Sequence, residues 1–484
     1  MTAAANQQGA QRPFFDAGRV GHSLRRPDKA DSAADYLAFL ASKARRDPAT
    51  GLQEIPQLAD QLFPFQRDIV AWALRRGRAA IFAQTGLGKS FMELEWGRAV
   101  HTSTGGNVLL LTPLAVAAQM VREAQKFGLP AKQCATQAEV EPGVTVTNYA
   151  KLHHFDLSKF VGVILDESSI LKAFDGKTRT RLIEACKDVP YRLAATATPA
   201  PNDFTELGNH AEFLGVMSLH GMQATFFCHD GGDTSVWRLK GHAEQAFWQW
   251  MCSWSVLLRR PSDLGYEDGA YALPPLEQVE HIIEVPGERA ATLGQRLAAR
   301  RESIGQRVAR AVELTPADRP FVWWCNLNAE SEQLAAAIPG AVEVRGAHDE
   351  DEKERRLKAF SAGEIRVLVT KPSIAGFGMN WQHCADTGFV GLNDSFEQVY
   401  QAVRRFWRFG QQRPVTAHFI AASTEGAVLE NLRRKEADAE RMGAAMVAEM
   451  ADLSSELVHG ALRQLDTYLP TQPVNVPRWL LEAA

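Results

Sequence analysis

The stretch Ala79-Ala80-Ile81-Phe82-Ala83-Gln84-Thr85-Gly86-Leu87-Gly88-Lys89-Ser90 decides how this chain folds. A short apolar run, the length of one buried strand, gives way to a glycine-bearing turn, and a helical pattern begins at Lys89. Glycines at 86 and 88 let backbone N–H groups turn toward a single point, and the helix N-terminus behind them favours negative charge. Strand, glycine loop and helix therefore make a phosphate cradle. Its candidate contacts are Thr85, Gly86, Gly88, Lys89 and Ser90, with Lys89 neutralising the β and γ phosphates and Ser90 holding Mg²⁺. The loop opens on Ala83, where the common pattern has glycine.

Around this stretch, short apolar runs alternate with helical patterns. An amphipathic helix from Phe65 to Arg76 precedes it, and candidate strands follow at Asn107–Thr112, Val144–Thr147, Val161–Asp166 and Tyr191–Thr196. Strands at that spacing, joined by helices, imply a parallel sheet covered on both faces. From Gly215 to about Pro275 the alternation breaks. That segment holds Gly231-Gly232-Asp233 and the aromatic run Phe247-Trp248-Gln249-Trp250-Met251-Cys252-Ser253-Trp254, and reads as an insertion or bridging subdomain. Phe247, Trp250 and Trp254 share a helical face that either stacks bases of a separated strand or is plain core. Alternation resumes at Phe321-Val322-Trp323-Trp324, with strands expected at Val342–Val344, Val367–Thr370, Gly388–Gly391 and Thr416–Ile420. The expected organisation is an extension over 1–50, with an amphipathic stretch from Tyr36 to Arg46, then an ATP-binding lobe over 51–215. A bridging subdomain over 216–277, a second lobe over 278–437 and a helical tail over 438–484 complete it.

With 484 residues, 45% of them hydrophobic, the chain is long enough for several cored domains. A formal net charge of −4 gives no global basic surface, so nucleic-acid contact has to come from local patches. The helix carrying Arg300, Arg301, Arg307 and Arg310 is one such patch, or simply a solvated face. Six scattered cysteines without a Cys-x-x-Cys pair fit the reduced thiols of a cytosol. No basic start with an apolar run marks a secretory signal, and no stretch approaches the roughly 20 apolar residues of a membrane span. A cytoplasmic protein without a membrane partner is expected.

Two further motifs carry chemistry. Val161-Gly162-Val163-Ile164-Leu165 ends in Asp166-Glu167, placing two carboxylates at the C-terminal edge of a strand, where open α/β sheets bind ligands. Asp166 suits Mg²⁺ coordination through water and Glu167 suits orienting the attacking water. Far along the chain, Gln401-Ala402-Val403-Arg404-Arg405-Phe406-Trp407-Arg408-Phe409-Gly410-Gln411 places Arg405 and Arg408 three apart, on one face if helical, aimed at a phosphate across a cleft. Arginines so placed can contribute ~10³ or more in phosphoryl-transfer rate.

In this order, from Leu62 to Val415, the motifs resemble the superfamily two helicases, and within them the Swi/Snf-like branch of double-stranded DNA translocases. Gln401, Arg405, Arg408, Gly410 and Gln411 are similar to its Gln-x-x-x-Arg-x-x-Arg-x-Gly-Gln signature. Asp166-Glu167-Ser168-Ser169-Ile170-Leu171-Lys172 resembles its Asp-Glu-x-His-x-x-Lys segment, with Ser169 replacing His. Leu257-Leu258-Arg259-Arg260 resembles the segment that bridges its lobes. The text around Phe65–Val70 and Gly86–Lys89 is similar to compact DEAD/DEAH-type helicases of phages and mobile elements. The resemblance implies an α/β fold of two RecA-like, doubly wound parallel-sheet lobes with a short helical insertion and helical tails.

It also implies residue roles. Gln66 reads the adenine; Thr112, Pro113 and Thr147 contact a nucleic-acid strand; and Thr196 and Thr198, in Ala195–Asn202, link hydrolysis to movement. Gly376 contacts the DNA backbone, Gly378 and Asn380 the ribose, and Gln401 the nucleotide. Arg404 stands where relatives often carry glycine. The implied activity is nucleic-acid-stimulated ATP hydrolysis with Mg²⁺, driving movement along DNA. Duplex is favoured over single strands, RNA is disfavoured, and the N- or C-terminal tail offers a surface for a recruiting protein. A strand-separating helicase on single-stranded DNA or RNA is one rival. An ATP-switched nucleic-acid clamp or scaffold is another.

Overall fold

The computed structural model describes residues 49–172, 176–200, 203–230, 233–375, 379–392 and 395–458. The stretch Tyr36–Arg46 lies outside them. Six strands of the first lobe are near-continuous apolar runs or short edges: β1 (Arg78–Ala83), β2 (Asn107–Thr112), β3 (Ala131–Gln133), β4 (Val144–Asn148), β5 (Phe160–Asp166) and β6 (Tyr191–Thr196). An antiparallel hairpin of β7 (Phe227–Asp230) and β8 (Asp233–Leu239) stands apart from the sheet. A seventh strand, β9 (Ser255–Leu258), completes a parallel sheet in the order β3-β4-β2-β5-β6-β1-β9.

That order positions the chemistry. β5, β6 and β1 are neighbours, so Asp166 at the end of β5, Thr196 at the end of β6 and the loop after β1 emerge side by side. The helix Lys89–Thr104 packs across this sheet through the fully buried Trp96, over Gly162, where an added Cβ would meet its ring at 3.6 Å. A buried aromatic of this kind costs about 3–5 kcal/mol to truncate.

The second lobe is also all parallel: β10 (Leu276–Ile283), β11 (Phe321–Trp324), β12 (Ala341–Glu343), β13 (Val367–Thr370), β14 (Asp386–Phe389) and β15 (Val415–Ala422), in the order β10-β15-β14-β11-β13-β12. Alternate residues of β11 supply its two cores, Val322 and Trp324 packing with Trp381, Phe389 and Phe406, and Phe321 and Trp323 with Val369 and Ile420. The chain is thus α/β with two parallel-sheet lobes.

Three segments differ from the reading of the sequence. The stretch after Gly215 is not a free insertion throughout, because β9 pairs in register with β1 from Ala80↔Ser255 to Ala83↔Leu258. A four-residue edge strand preceded by a helix carries too little periodicity to be told from a loop. The aromatic helix Glu244–Trp254 is core: of the face read from the sequence, Phe247 and Trp254 are buried and the half-buried Trp250 packs on Phe226, Phe247 and Trp254, so the rings contact one another and not a base. Beyond the second lobe, the helix Val428–Val458 returns to the first lobe and packs on the helix Glu244–Trp254 and on β9. Met446 and Met450 are buried there, and the Cys252 thiol faces Met450 O at 4.0 Å, so this part of the tail is not an open docking surface.

Arg300 and Arg307 also depart from a DNA-tracking face. Both are buried: Arg307 pairs with Glu330 at 2.7 Å and with Glu425 at 3.2 Å, and Arg300 pairs with Glu425 at 3.0 Å. The ion network ties the helices Leu293–Glu302, Ile304–Leu314 and Asn328–Ala337 to the turn after β15.

Candidate active site

The glycines of the loop are fixed by geometry. Gly88 has φ +80°, and a Cβ there would lie 2.3 Å from Gln66 Nε2. Gly86 has φ +99°, and its Cβ would stand 3.0 Å from Phe409 N, so a turn of the second lobe lies directly on the loop. Gln66 is buried, its Nε2 donating to Leu87 O at 2.8 Å and its Oε1 accepting from Phe63 N–H at 3.0 Å. Both ends of the amide are thereby engaged with backbone, so Gln66 braces the turn that carries Gly86 and Gly88. Beside it Phe63, Tyr271 and Phe409 form an aromatic cluster, Tyr271 and Phe409 with ring centroids 4.5 Å apart. Lys89 folds back, Nζ donating to Ala83 O at 2.7 Å.

The carboxylates stand at the adjoining strand end. Burial, together with the neighbouring Glu167, pushes the Asp166 carboxyl up to about 7 against the opposing pull of Lys89. Tyr149, in the turn after β4, donates its hydroxyl to Asp166 O at 2.6 Å and so anchors the carboxylate loop. Glu167 has φ +53°, a left-handed backbone that costs a non-glycine residue on the order of 1–3 kcal/mol. Its Oε2 accepts from Thr196 Oγ1 at 3.2 Å, and Thr196 Oγ1 in turn accepts Thr198 N–H at 3.1 Å. The β6 loop is therefore tied to the second carboxylate by a direct hydrogen bond. Behind it His210 Nε2 meets Ser168 Oγ at 3.1 Å inside the core.

One acidic residue escaped the sequence reading. Glu93, one turn after Lys89, is fully buried and neither carboxylate oxygen has a hydrogen-bond partner. Burial, then Asp166, raises it well above the ordinary carboxylate range. The signal available was a glutamate four residues from the candidate lysine, and so one turn along the same helix face.

The arginines arrive differently from the expected helical face. The helix Phe396–Val403 ends before them, and Arg405 and Arg408 sit in the irregular turn that follows. They still converge: Arg405 Nη1 and Arg408 Nη1 each donate to Met379 O at 3.2 Å. Gln401, read as a nucleotide contact, also holds Arg405, accepting Nη2 on Oε1 at 3.1 Å and Nε on its carbonyl at 2.9 Å, while its own Nε2 is left without a partner. Burial, then the neighbouring Arg408, pulls the Arg405 guanidinium down to about 9, while Glu167 and Asp166 across the cleft act in the other direction. Arg404 is buried against Trp407, its guanidinium 4.2 Å from the ring centroid. With the Gln84 amide turned so that its nitrogen donates to Arg259 O, its oxygen accepts Arg404 Nη2 at 2.5 Å, joining this turn to the phosphate loop.

Other expected contacts are placed less simply. Thr112 and Thr147 are buried, Thr112 Oγ1 donating to Pro113 O at 3.0 Å, whereas Leu114, next after the partly exposed Pro113, is 60% exposed. Asn380 is exposed, and Gly376 and Gly378 lie outside the described residues. Thr85 Oγ1, Thr198 Oγ1, Gln401 Nε2 and both Glu93 oxygens are buried without partners, leaving polar capacity beside Lys89 and Asp166 that fits a Mg²⁺-bound triphosphate.

No family model matches. A curated Drosophila melanogaster protein, "SWI/SNF-related matrix-associated actin-dependent regulator of chromatin subfamily A-like protein 1", is 28% identical over 211 residues, 38% of this chain and 27% of that one. The chain thus matches about a quarter of that relative's length. A solved structure, the Sulfolobus solfataricus SWI2/SNF2 ATPase core in complex with dsDNA, superposes with a TM-score of 0.40 at 15% identity, over 86% of this chain and 100% of that one. The chain resembles the Swi/Snf-like branch of superfamily two. Its carboxylate segment, Asp-Glu-Ser-Ser, is neither Asp-Glu-Ala-Asp nor Asp-Glu-Ala-His.

Proposed function

We propose that the chain is an ATP-dependent DNA translocase that moves along duplex DNA. The observation that carries the reading is one site drawn from two lobes: Lys89, Asp166, Glu167 and Thr196 on the first face Arg405 on the second, whose charge feels both carboxylates. Lys89 releases Ala83 O to bind phosphate, and Ser90 and Asp166 would hold Mg²⁺, which offsets phosphate charge when bound. Glu167 orients the attacking water, with its carboxylate fixed by Thr196. Arg405 and Arg408 stabilise the charge spread over the transferring phosphoryl group. Because those arginines belong to the second lobe, hydrolysis favours different lobe arrangements before and after the reaction. Alternating grip on the DNA backbone then steps the protein along.

The test is the ATPase rate of the purified protein with duplex DNA, single-stranded DNA, RNA or no polymer, beside Glu167→Gln, followed by displacement of a triplex-forming strand. Duplex-dependent turnover that vanishes in Glu167→Gln, with triplex displacement, is the expected result. Stimulation by single strands alone would replace it with strand separation, and binding without turnover would leave a switched clamp.

A further inference from the structure

The position where the Swi/Snf-like pattern has histidine is Ser169, and its hydroxyl is not idle. Ser169 Oγ donates to Glu397 Oε1 at 3.1 Å, and Lys172 Nζ pairs with the other oxygen of the same carboxylate. Ser169 and Lys172 lie two and five residues past Glu167, in the short helical turn Ser168–Lys172. Glu397 lies in the other lobe, in the first turn of the helix Phe396–Val403. Its side chain is 13% exposed and that of Lys172 42%, so the contact across the cleft is desolvated on the Glu397 side and open to water on the Lys172 side.

Both sides of the contact are built into the site. The Ser168–Lys172 turn is held from behind: His210 meets Ser168 Oγ at 3.1 Å, and Asn209 Nδ2 donates to Lys172 O at 3.5 Å. On the far side, Glu397 and Gln401 are one turn apart on one helix face, and Gln401 grips Arg405 through its side chain and its carbonyl. A continuous chain of contacts therefore runs from the strand end bearing Glu167, through Ser169 and Lys172, to Glu397, Gln401 and Arg405.

We propose that Glu397 is a positioning residue that locks the arginine-bearing helix to the carboxylate turn, setting Arg405 in register with Glu167 when the lobes close. The two donors have separate tasks. Lys172 supplies charge attraction, and the Ser169 hydroxyl fixes the carboxylate's orientation. The inference rests on the motor reading for its catalytic consequence, but the lock itself is a contact between lobes and can be measured without turnover.

The experiment uses the full chain as wild type, Glu397→Gln, Glu397→Lys, and the exchanged pair Lys172→Glu with Glu397→Lys. Small-angle scattering reports whether the lobes separate, and steady-state kinetics with duplex DNA report kcat and KM for ATP. Glu397→Lys is expected to enlarge the radius of gyration and the exchanged pair to bring it back. Glu397→Gln is expected to lower kcat by a factor of about ten with KM for ATP nearly unchanged, as for an interaction realised in the closed state. An exchanged pair no better than Glu397→Lys alone in both readouts overturns the lock. A Glu397→Gln enzyme within twofold of wild-type kcat overturns its positioning role. Absence of wild-type turnover with any polymer would count against the motor reading, and the scattering would still decide the lock.

Discussion

Two arginine groups of the second lobe, Arg300 with Arg307, both buried, and the buried Arg405 with the half-buried Arg408, differ in what they face. Arg300 and Arg307 meet Glu425 and Glu330 within their own lobe, so their charges are neutralised where they sit. Among the described residues no carboxylate lies within ion-pair distance of Arg405 or Arg408. They are held by the Met379 and Gln401 carbonyls and the Gln401 amide, and Arg408 Nε has no partner. A buried cation left without its own counter-charge is costly unless something else supplies the negative charge. For Arg405 the remaining negative groups are Asp166 and Glu167 of the other lobe and, on the proposed reading, the phosphates between them. The first group is part of the scaffold, and the second is aimed out of its own lobe.

That contrast can be broken by experiment. Arg408→Ala should lower DNA-stimulated turnover by ~10³ while leaving the midpoint of denaturant unfolding nearly unchanged, since the residue pairs with no carboxylate. Arg307→Ala should do the reverse, costing about 3–5 kcal/mol of unfolding free energy by stranding Glu330 and half of Glu425 in the core. If the two variants behave alike in denaturant, the distinction between scaffold and site arginines fails.

A third buried basic group sharpens the comparison from the uncharged side. Burial lowers His210 from 6.5 to about 4, so the folded protein keeps it neutral while the unfolded chain takes up a proton below pH 6.5. Its contribution is intact above pH 6.5 and is lost as pH falls toward 4, in total about 3 kcal/mol at ~1.4 kcal/mol per pH unit. Unfolding free energies measured between pH 7 and 4 should show this slope in wild type and a shallower one in His210→Gln. The smallest effect is expected at Arg404. Its guanidinium is stacked on Trp407 and bonded to Gln84, so Arg404→Gly should cost a few-fold in kcat, far less than Arg408→Ala.

How much of this was legible in the sequence follows from where each group lies along the chain. The phosphate loop, the Asp166-Glu167 strand end and the parallel strands were readable because strand, turn and helix signals sit within a few residues of each other. The two-lobed α/β architecture followed from the same alternation. Arg307 could not be told from a solvated charge, because its partners Glu330 and Glu425 are distant in sequence and their burial is a tertiary fact. The grip of Gln401 on Arg405 was hidden for the same reason: it depends on how the chain turns after Val403, where the helix stops. β9 was hidden because only its pairing with β1 makes it a strand. Glu93 was visible as an oddity of pattern, but its chemistry needed the neighbouring Asp166 to be seen beside it.

The central claim is that one catalytic site is completed by the second lobe, and single-turnover hydrolysis by Arg405→Ala at saturating ATP and duplex DNA tests it most directly. Nucleotide binding close to that of wild type with hydrolysis slowed ~10³-fold is the predicted result. Hydrolysis at the wild-type rate would contradict it and leave the second-lobe arginines without a part in the chemistry.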